Sequence, residues 1–318
     1  MGISDLKKLL FIYNPNSGHA NIGQKLNSIL KAFEDADYIP TVYRMRYGGD
    51  ASDAAEKWGA YFDLVVCAGG DGTLNGVVSG LMRIEKDRRP PVGFIPTGSA
   101  NDTRASYAIP QSIAAAARLV VTGEPFETDI GDLSGRYFNY VASFGELSAV
   151  SCFTPQENKN VFGRGAYIAE GLRALVKMHS DEVTVRYDGK ELKGDFFLGM
   201  VTNATSVGGF DGIVGKNVDL QDGLFEVTLV KRPADLAEFS KEVQAVLIDP
   251  DKSKKVEKEL VIRFTASEIS FEADNELQWV VDGEDAGKHR KVTAVNLNRA
   301  VRIIAGARLT DKVKTADE

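Results

Sequence analysis

The chain has 318 residues, of which 43% are hydrophobic, 26% charged and 9% aromatic. That composition excludes the disordered, collagen-like and disulfide-scaffold classes, and the length suits about two globular domains. Lys and Arg number 38 against 45 Asp and Glu, a net charge of −7, which excludes a polyanion such as nucleic acid as the natural partner of the whole molecule.

In chain order, Leu9 to Tyr13 is a short run of strand formers that stops at Asn14-Pro15-Asn16-Ser17-Gly18. Ile22, Leu26, Ile29, Leu30 and Phe33 then recur with the spacing of an amphipathic helix. A strand over Thr41 to Met45 precedes a helix that Asp50 or Ser52 can cap and that runs through Trp58. Leu64 to Ala68 is continuously apolar, as in a strand buried on both faces of a parallel sheet. It ends at Gly69-Gly70-Asp71-Gly72-Thr73, and Leu74, Val77, Val78, Leu81 and Met82 resume helical spacing before a strand at Val92 to Ile95. Strand alternating with helix predicts right-handed βαβ units, a Rossmann-like α/β domain over residues 1–125.

From about residue 126 the pattern turns to strands: Phe126 to Leu133, Tyr137 to Phe144, Glu182 to Tyr187, Phe196 to Thr202, Leu224 to Leu229, Val256 to Phe264, Glu268 to Phe271 and Leu277 to Val281. Asp188-Gly189 is a hairpin signal, so residues 126–304 read as an antiparallel β-sandwich or barrel, with a tail over about 305–318 returning to the first domain. Helical spacing interrupts it near Ala166 to Met178 and Ala234 to Leu247. The lysine-rich stretch Asp251 to Glu259 reads as a solvated face or loop.

Cys67 and Cys152 match no metal or redox spacing, which points to a reducing, cytoplasmic compartment. No run approaches the roughly 18 apolar residues of a membrane span. No signal peptide is expected, and Leu6 stands where a myristoylation pattern needs Ser or Thr. Contact with a bilayer would then be peripheral.

Three polar, glycine-containing loops follow strands of the first domain: Asn14 to Gly18, Gly69 to Thr73, and Pro96-Thr97-Gly98-Ser99-Ala100-Asn101-Asp102. Ligands of open α/β sheets bind outside the carboxyl ends of the strands, so the three would meet at one edge. Glycines admit close backbone approach, and a following helix offers free N–H groups to phosphate. Asp71 would repel bare phosphate, which leaves it a role through Mg²⁺ or as a base for a hydroxyl. No GxxxxGK[ST] and no GxGxxG occurs, which excludes a P-loop and the dinucleotide fingerprint.

In this order and spacing the three loops resemble the diacylglycerol/lipid kinase family, in particular its soluble bacterial members. The resemblance extends to Asp219-Leu220-Gln221-Asp222-Gly223-Leu224-Phe225-Glu226-Val227 and to Val281-Asp282-Gly283-Glu284, five motifs over most of the chain. It implies an ATP site lined by Asn14, Pro15, Asn16, Ser17 and Gly18, by Gly70, Asp71, Gly72, Thr73, Leu74 and Asn75, and by Thr97, Gly98 and Ser99. It implies a structural Mg²⁺ held by Asp219, Asp222 and the carbonyl of Leu224. Glu284 would be the general base for a lipid hydroxyl, with Asp282 beside it and Asp71 as catalytic Mg²⁺ ligand or rival base. The acceptor would be diacylglycerol or a related lipid at the inner membrane face, and a homodimer through the second domain is also implied.

The chain departs from that pattern at Ser99, often Thr in relatives, at Gly76, often Glu, and at Met45, near a nucleotide-contacting Thr. Arg44 and Arg46 read as surface charges. His19, His179 and His289 have no metal or triad spacing, and Met178, Phe196, Phe197 and Phe210 read as core. Arg164, Arg173 and Lys177 are candidates for a membrane-facing patch. The alternatives are a kinase of a soluble substrate such as NAD, which shares GGDG, and a catalytically silent lipid-binding or regulatory protein of the same fold.

Overall fold

The computed structural model describes residues 6–17, 22–98, 101–145, 179–205, 218–235 and 253–307, together with Val207, Phe239, Lys241 and Leu309. Gly18, His19, Ser99, Cys152, Phe210, the stretch around Ala166 to Met178 with its three basic residues, and most of Ala234 to Leu247 lie outside the described residues.

Four parallel strands open the chain: β1 (Lys7–Tyr13), β2 (Tyr38–Arg44), β3 (Leu64–Gly69) and β4 (Val92–Pro96), in the order β4-β3-β1-β2. Every residue of β3 and β4 is buried, as strands covered on both faces must be. The helices of this part are α1 (Ile22–Glu34), α2 (Asp50–Trp58), α3 (Asp71–Met82), α4 (Asp102–Ser106) and α5 (Ile113–Thr122). Helix α1 buries Ile22, Ile29 and Phe33, the stripe its spacing predicts. Helix α2 is preceded by Gly49 in the left-handed region, so Asp50 is its first residue rather than its cap. Its carboxylate turns back to the β2 end, accepting from Tyr43 Oη at 2.6 Å and Arg46 N at 2.6 Å. Helices α4 and α5 had no sequence expectation.

The second part contains β5 (Glu124–Leu133), β6 (Arg136–Phe138), β7 (Val141–Gly145), β8 (Asp181–Tyr187), β9 (Lys190–Thr202), β10 (Phe225–Lys231), β11 (Val261–Ala266), β12 (Glu268–Val281) and β13 (Glu284–Ala305), with α6 (Ser253–Leu260) before β11. Apart from the parallel contact of β13 with β4, its pairings are antiparallel. Strands β7 and β8 share one slot between β9 and β12. Gly145 lies opposite Leu198, and the chain re-enters that slot at Asp181 opposite Phe196. The Asp188-Gly189 turn joins β8 to β9 with φ of 47° and 71°, the two positive angles a two-residue hairpin of the favoured twist needs.

Several boundaries differ from expectation for physical reasons. Tyr137 to Phe144 is two strands, because Asn139 and Tyr140 turn their amides to a buried carboxylate. Val256 to Phe264 begins as helix α6, whose alternating Lys and Glu support i,i+4 pairing such as Lys255–Glu259. Glu268 to Val281 is one strand with register shifts, not two.

The 22-residue β13 carried no strand expectation, and it ties the molecule together. It pairs with β12 and β5, and at Ile303 it lies parallel to Val92 of β4. Val292 and Ala294 belong to the core of the second part. Val301, Ile303, Ile304 and Ala305 belong to the core of the first, and Leu309 packs against it.

Candidate active site

The ends of β1, β3 and β4 bring the three polar loops together. Asn14 N donates to Ala68 O, and Thr97 N and Gly98 N both donate to Gly69 O. Ser17 Oγ hydrogen-bonds Thr97 Oγ1 across two loops. Asn14 Oδ1 accepts from Asn16 N at 2.9 Å, an Asx turn that tightens the first loop. The second and third loops touch backbone to backbone: a Cβ on Gly98 would come 2.5 Å from Gly70 Cα. Glycine is needed there because no side chain fits. Asn101, with φ 52°, closes the third loop by bonding Gly98 through both N and O.

Over these loops lies a cavity of about 440 Å³. Asn14, Ser17, Gly70, Gly72, Thr73, Asn75 and Gly98 line it with Glu284, while Met45, Gly49, Ala51, Ser52, Gly76 and Ser79 extend its wall toward α2. The start of α3 forms its floor, a helix N-terminus suited to anions. Thr97 is buried behind Ser17, and Leu74 is in the hydrophobic core, so only its backbone is near the cavity. Pro15 and Asn16 are outside the lining.

The three candidate acids occupy different positions. Asp71 turns away from the cavity, accepting from Asp102 N and Thr103 N at 3.1 Å each, so it caps α4. Asp282 is buried with φ 48° and accepts four hydrogen bonds: Asn139 N at 2.7 Å, Tyr140 N and Val141 N at 3.0 Å, and Asn75 Nδ2 at 2.7 Å. Burial pushes its carboxyl up to about 6 despite those donors. Glu284 is the exposed member, 59% accessible, with Arg136 Nη2 3.5 Å from its Oε2. Its Oε1 hangs over the first turn of α3, 2.6 Å from where a Cβ on Gly72 would stand.

Asn75 is the clasp between the two parts. From α3 its Nδ2 donates to Asp282 and, at 3.0 Å, to Tyr137 O. The Asp282-Gly283 turn, φ 48° and 83°, closes the β12–β13 hairpin and sets Glu284 at the cavity mouth. Burial also raises the Tyr140 hydroxyl above its ordinary range, with the charges of Asp282, Asp71 and Asp102 adding to the effect.

The implied Mg²⁺ residues are outside the cavity lining, in the segment just before β10, whose Leu220 reaches the core of the first part. Asp222 Oδ1 accepts from Leu224 N, Asp219 Oδ1 from Gln221 N, and burial together with Asp219 raises Asp222. Glu226, not among the expected ligands, has a buried Oε2 with no partner and is pushed up to about 8 by burial, with Asp222 and Asp219 adding. A buried carboxylate oxygen without a donor, in the field of two further acids, is chemistry that a hard divalent cation would satisfy. Among the described residues no three His, Cys, Asp or Glu side chains converge at metal distance, so the remaining positions would fall to the Leu224 carbonyl and water, as suits Mg²⁺.

Asp129 connects this region to the clasp. Wholly buried in β5, it accepts from Gly223 N, Asn298 Nδ2 and Arg299 N. Its own carbonyl accepts from Asn203 Nδ2, and Asn203 N donates to Tyr140 O. In the sequence it shares the predicted strand Phe126 to Leu133 with Glu127 and Asp132, and only packing distinguishes it.

Residues 8–133 match the diacylglycerol kinase catalytic domain, and residues 143–305 match the YegS C-terminal NAD kinase beta sandwich-like domain. The diacylglycerol kinase of Bacillus subtilis (strain 168) is 34% identical over 94% of this chain and 96% of its own length. The chain belongs to the diacylglycerol kinase family. A diacylglycerol kinase of Staphylococcus aureus (strain MRSA252) is likewise 34% identical, over 94% of this chain and 92% of its own. The fold matches the crystal structure of a diacylglycerol kinase from Bacillus anthracis str. Sterne with a TM-score of 0.70 and 23% identity, covering 96% of this chain and 98% of that one. The family comprises lipid kinases that move phosphate to an alcohol acceptor. Among the described residues no helix is long and apolar enough to cross a membrane.

Proposed function

We propose that this chain transfers the γ-phosphoryl group of ATP to the hydroxyl of diacylglycerol, or a closely related lipid, presented at a membrane surface. The observation that carries this reading is the position of Glu284, an accessible carboxylate at the mouth of a glycine-walled cavity whose floor is the start of α3.

ATP would lie with its phosphates against the backbone of Gly70, Gly72 and Gly98 and the hydroxyls of Ser17 and Thr73, and with its base toward Met45, Ala51 and Gly76. The acceptor hydroxyl would approach from the Glu284 side. Glu284 takes the hydroxyl proton, the oxygen forms a bond to the γ-phosphorus, and the bond from that phosphorus to the bridging oxygen of ADP breaks. Positioning and charge neutralisation supply most of the catalysis in such reactions. Mg²⁺ held by Asp219, Asp222 and the Leu224 carbonyl would supply positive charge that consolidates the acidic segment before β10. Asp282, with every lone pair engaged by donors, positions Glu284 rather than meeting the acceptor. Asp71 orders α4 and with it the third loop.

The test is transfer of label from γ-labelled ATP, with Mg²⁺, to a panel of diacylglycerol in mixed micelles, phosphatidylglycerol, sphingosine, undecaprenol and NAD, with Glu284→Gln alongside. Label on diacylglycerol that vanishes in the variant supports the reading. Label on NAD would transfer the chain to a soluble acceptor, the alternative raised by the description of its second domain. ATP binding with no transfer to any acceptor would favour a binding or regulatory protein.

A further inference from the structure

The cavity walls contain no lysine or arginine among the described residues, yet a transferring phosphoryl group gathers negative charge that a kinase must neutralise. Arg136 stands next to the cavity mouth, with its Nη2 3.5 Å from Oε2 of the lining residue Glu284. We propose that Arg136 recognises the γ-phosphoryl group, leaving its resting partner Glu284 to pair with the phosphoryl oxygens when ATP is bound. The inference rests on the kinase reading of the same site.

Two hairpin turns place these side chains together. Arg136 is the first residue after the Ser134-Gly135 turn, φ 50° and 96°, and pairs with Leu133 of β5. Glu284 is the first residue after the Asp282-Gly283 turn and pairs with Val281 of β12. Asn75 holds both arms at once, donating to Tyr137 O beside Arg136 and to Asp282 Oδ2 beside Glu284. Glu284 thereby hangs over the first turn of the helix where phosphate is expected, with the Arg136 guanidinium beside it.

The resting pair is built to be exchanged. The closest approach is 3.5 Å, and the side chains are 42% and 59% accessible. Exposed pairs of this kind contribute little, and a guanidinium gains more from the paired oxygens of a phosphoryl group. The exchange also frees Glu284 Oε2 for the acceptor proton. No bond to Arg136 is made or broken: the proton passes from hydroxyl to carboxylate, and the guanidinium only follows the charge from ATP to the phosphorylated product.

The full-length protein and its Arg136→Met and Arg136→Lys variants test this through affinities for Mg-ATP and Mg-ADP by titration calorimetry, with turnover measured in parallel. Loss of a charge-assisted contact to the γ-phosphoryl should weaken ATP binding about tenfold to a hundredfold. ADP binding should stay within about twofold of wild type by the same reasoning. Lysine should recover part of the loss, and millimolar guanidinium should restore part of the turnover of Arg136→Met. An unchanged ratio of ATP to ADP affinity overturns the inference, as does an equal weakening of both, which marks a structural disturbance. If the ratio collapses as expected but no lipid is labelled, Arg136 keeps its role and the acceptor assignment falls. If the wild type binds neither nucleotide, both fall together.

Discussion

The two walls of the cavity are built on opposite principles. The wall from the first part is made by absence: at Gly70, Gly72 and Gly98 the backbone itself is the surface, and a Cβ added at Gly72 or Gly98 would collide with Glu284 or with the neighbouring loop. The wall from the second part is made by one side chain, Glu284, which is held in place by its neighbour Asp282, whose buried carboxylate gathers three amides of the Asn139 to Val141 turn and Asn75 of the other part. The difference teaches where each wall is vulnerable. A glycine wall fails by addition, whereas a carboxylate hub fails by removal, because its donors then stay buried without acceptors.

Substitutions can break that contrast at graded cost. Glu284→Gln should have the largest effect, a fall of about 10²- to 10⁴-fold in kcat, with ATP affinity held within about threefold because binding precedes proton transfer. Steady-state kinetics beside calorimetry checks it, and a loss carried by ATP affinity would remove Glu284 from the base role. Asp282→Ala should cost about 3–5 kcal/mol in urea unfolding, since it strands four donors in the interior. Gly98→Ala adds one carbon 2.5 Å from Gly70 Cα, so the loops must part. It should weaken ATP binding tenfold or more at a stability cost of about 1–3 kcal/mol.

A subtler test uses acidity. Asp282 is raised from 3.8 to about 6 in the fold, so the native state keeps this proton over an interval in which the unfolded chain has released it. The contribution of this group to stability therefore falls as pH rises from about 4 to 6, by on the order of 2–3 kcal/mol, and is level above that. Asp282→Asn cannot titrate and should lack the slope in denaturant melts across that range. An identical slope in both proteins would assign it to other groups. The smallest effect is expected at Gly76, where a Cβ would stand 3.1 Å from Ala51 Cβ. The helical gain of alanine and this tight contact should offset one another, leaving Gly76→Ala within about 1 kcal/mol of wild type by thermal melting.

The same asymmetry governs what could be read from the sequence. Glycine loops after apolar strands announce themselves, because the chemistry that builds them is local, and the convergence of the three loops follows from parallel topology alone. The Asn75–Asp282 bond spans 207 positions, and no local pattern encodes it. Strand β13 went unread because Gly287, His289, Arg290, Asn296 and Asn298 interrupt its alternation. Most of those interruptions fall where its register against β12 or β5 shifts, as beside Arg299, whose φ is 48° and whose amide goes to Asp129. Arg136 went unread for a related reason: in sequence it is one more residue after a turn, and only the second hairpin gives it a neighbour. Glu226 sits in an ordinary alternating strand, and its orphaned oxygen becomes visible only once β10 is packed.

Strand β13 begins with the residue at the cavity mouth and ends inside the core of the first part, where Ile303, Ile304 and Ala305 complete the packing beside β4. On the ribosome the first part is therefore made long before it can close. At about 5–20 residues per second, its last apolar residues arrive on the order of ten to thirty seconds after β5. Until then Val92 and its neighbours wait without their final cover, and the half that holds the three polar loops is a nascent chain in need of protection. A chain ending just before Ile303 would carry Glu284 and the described loop residues and still lack a finished platform to hold them.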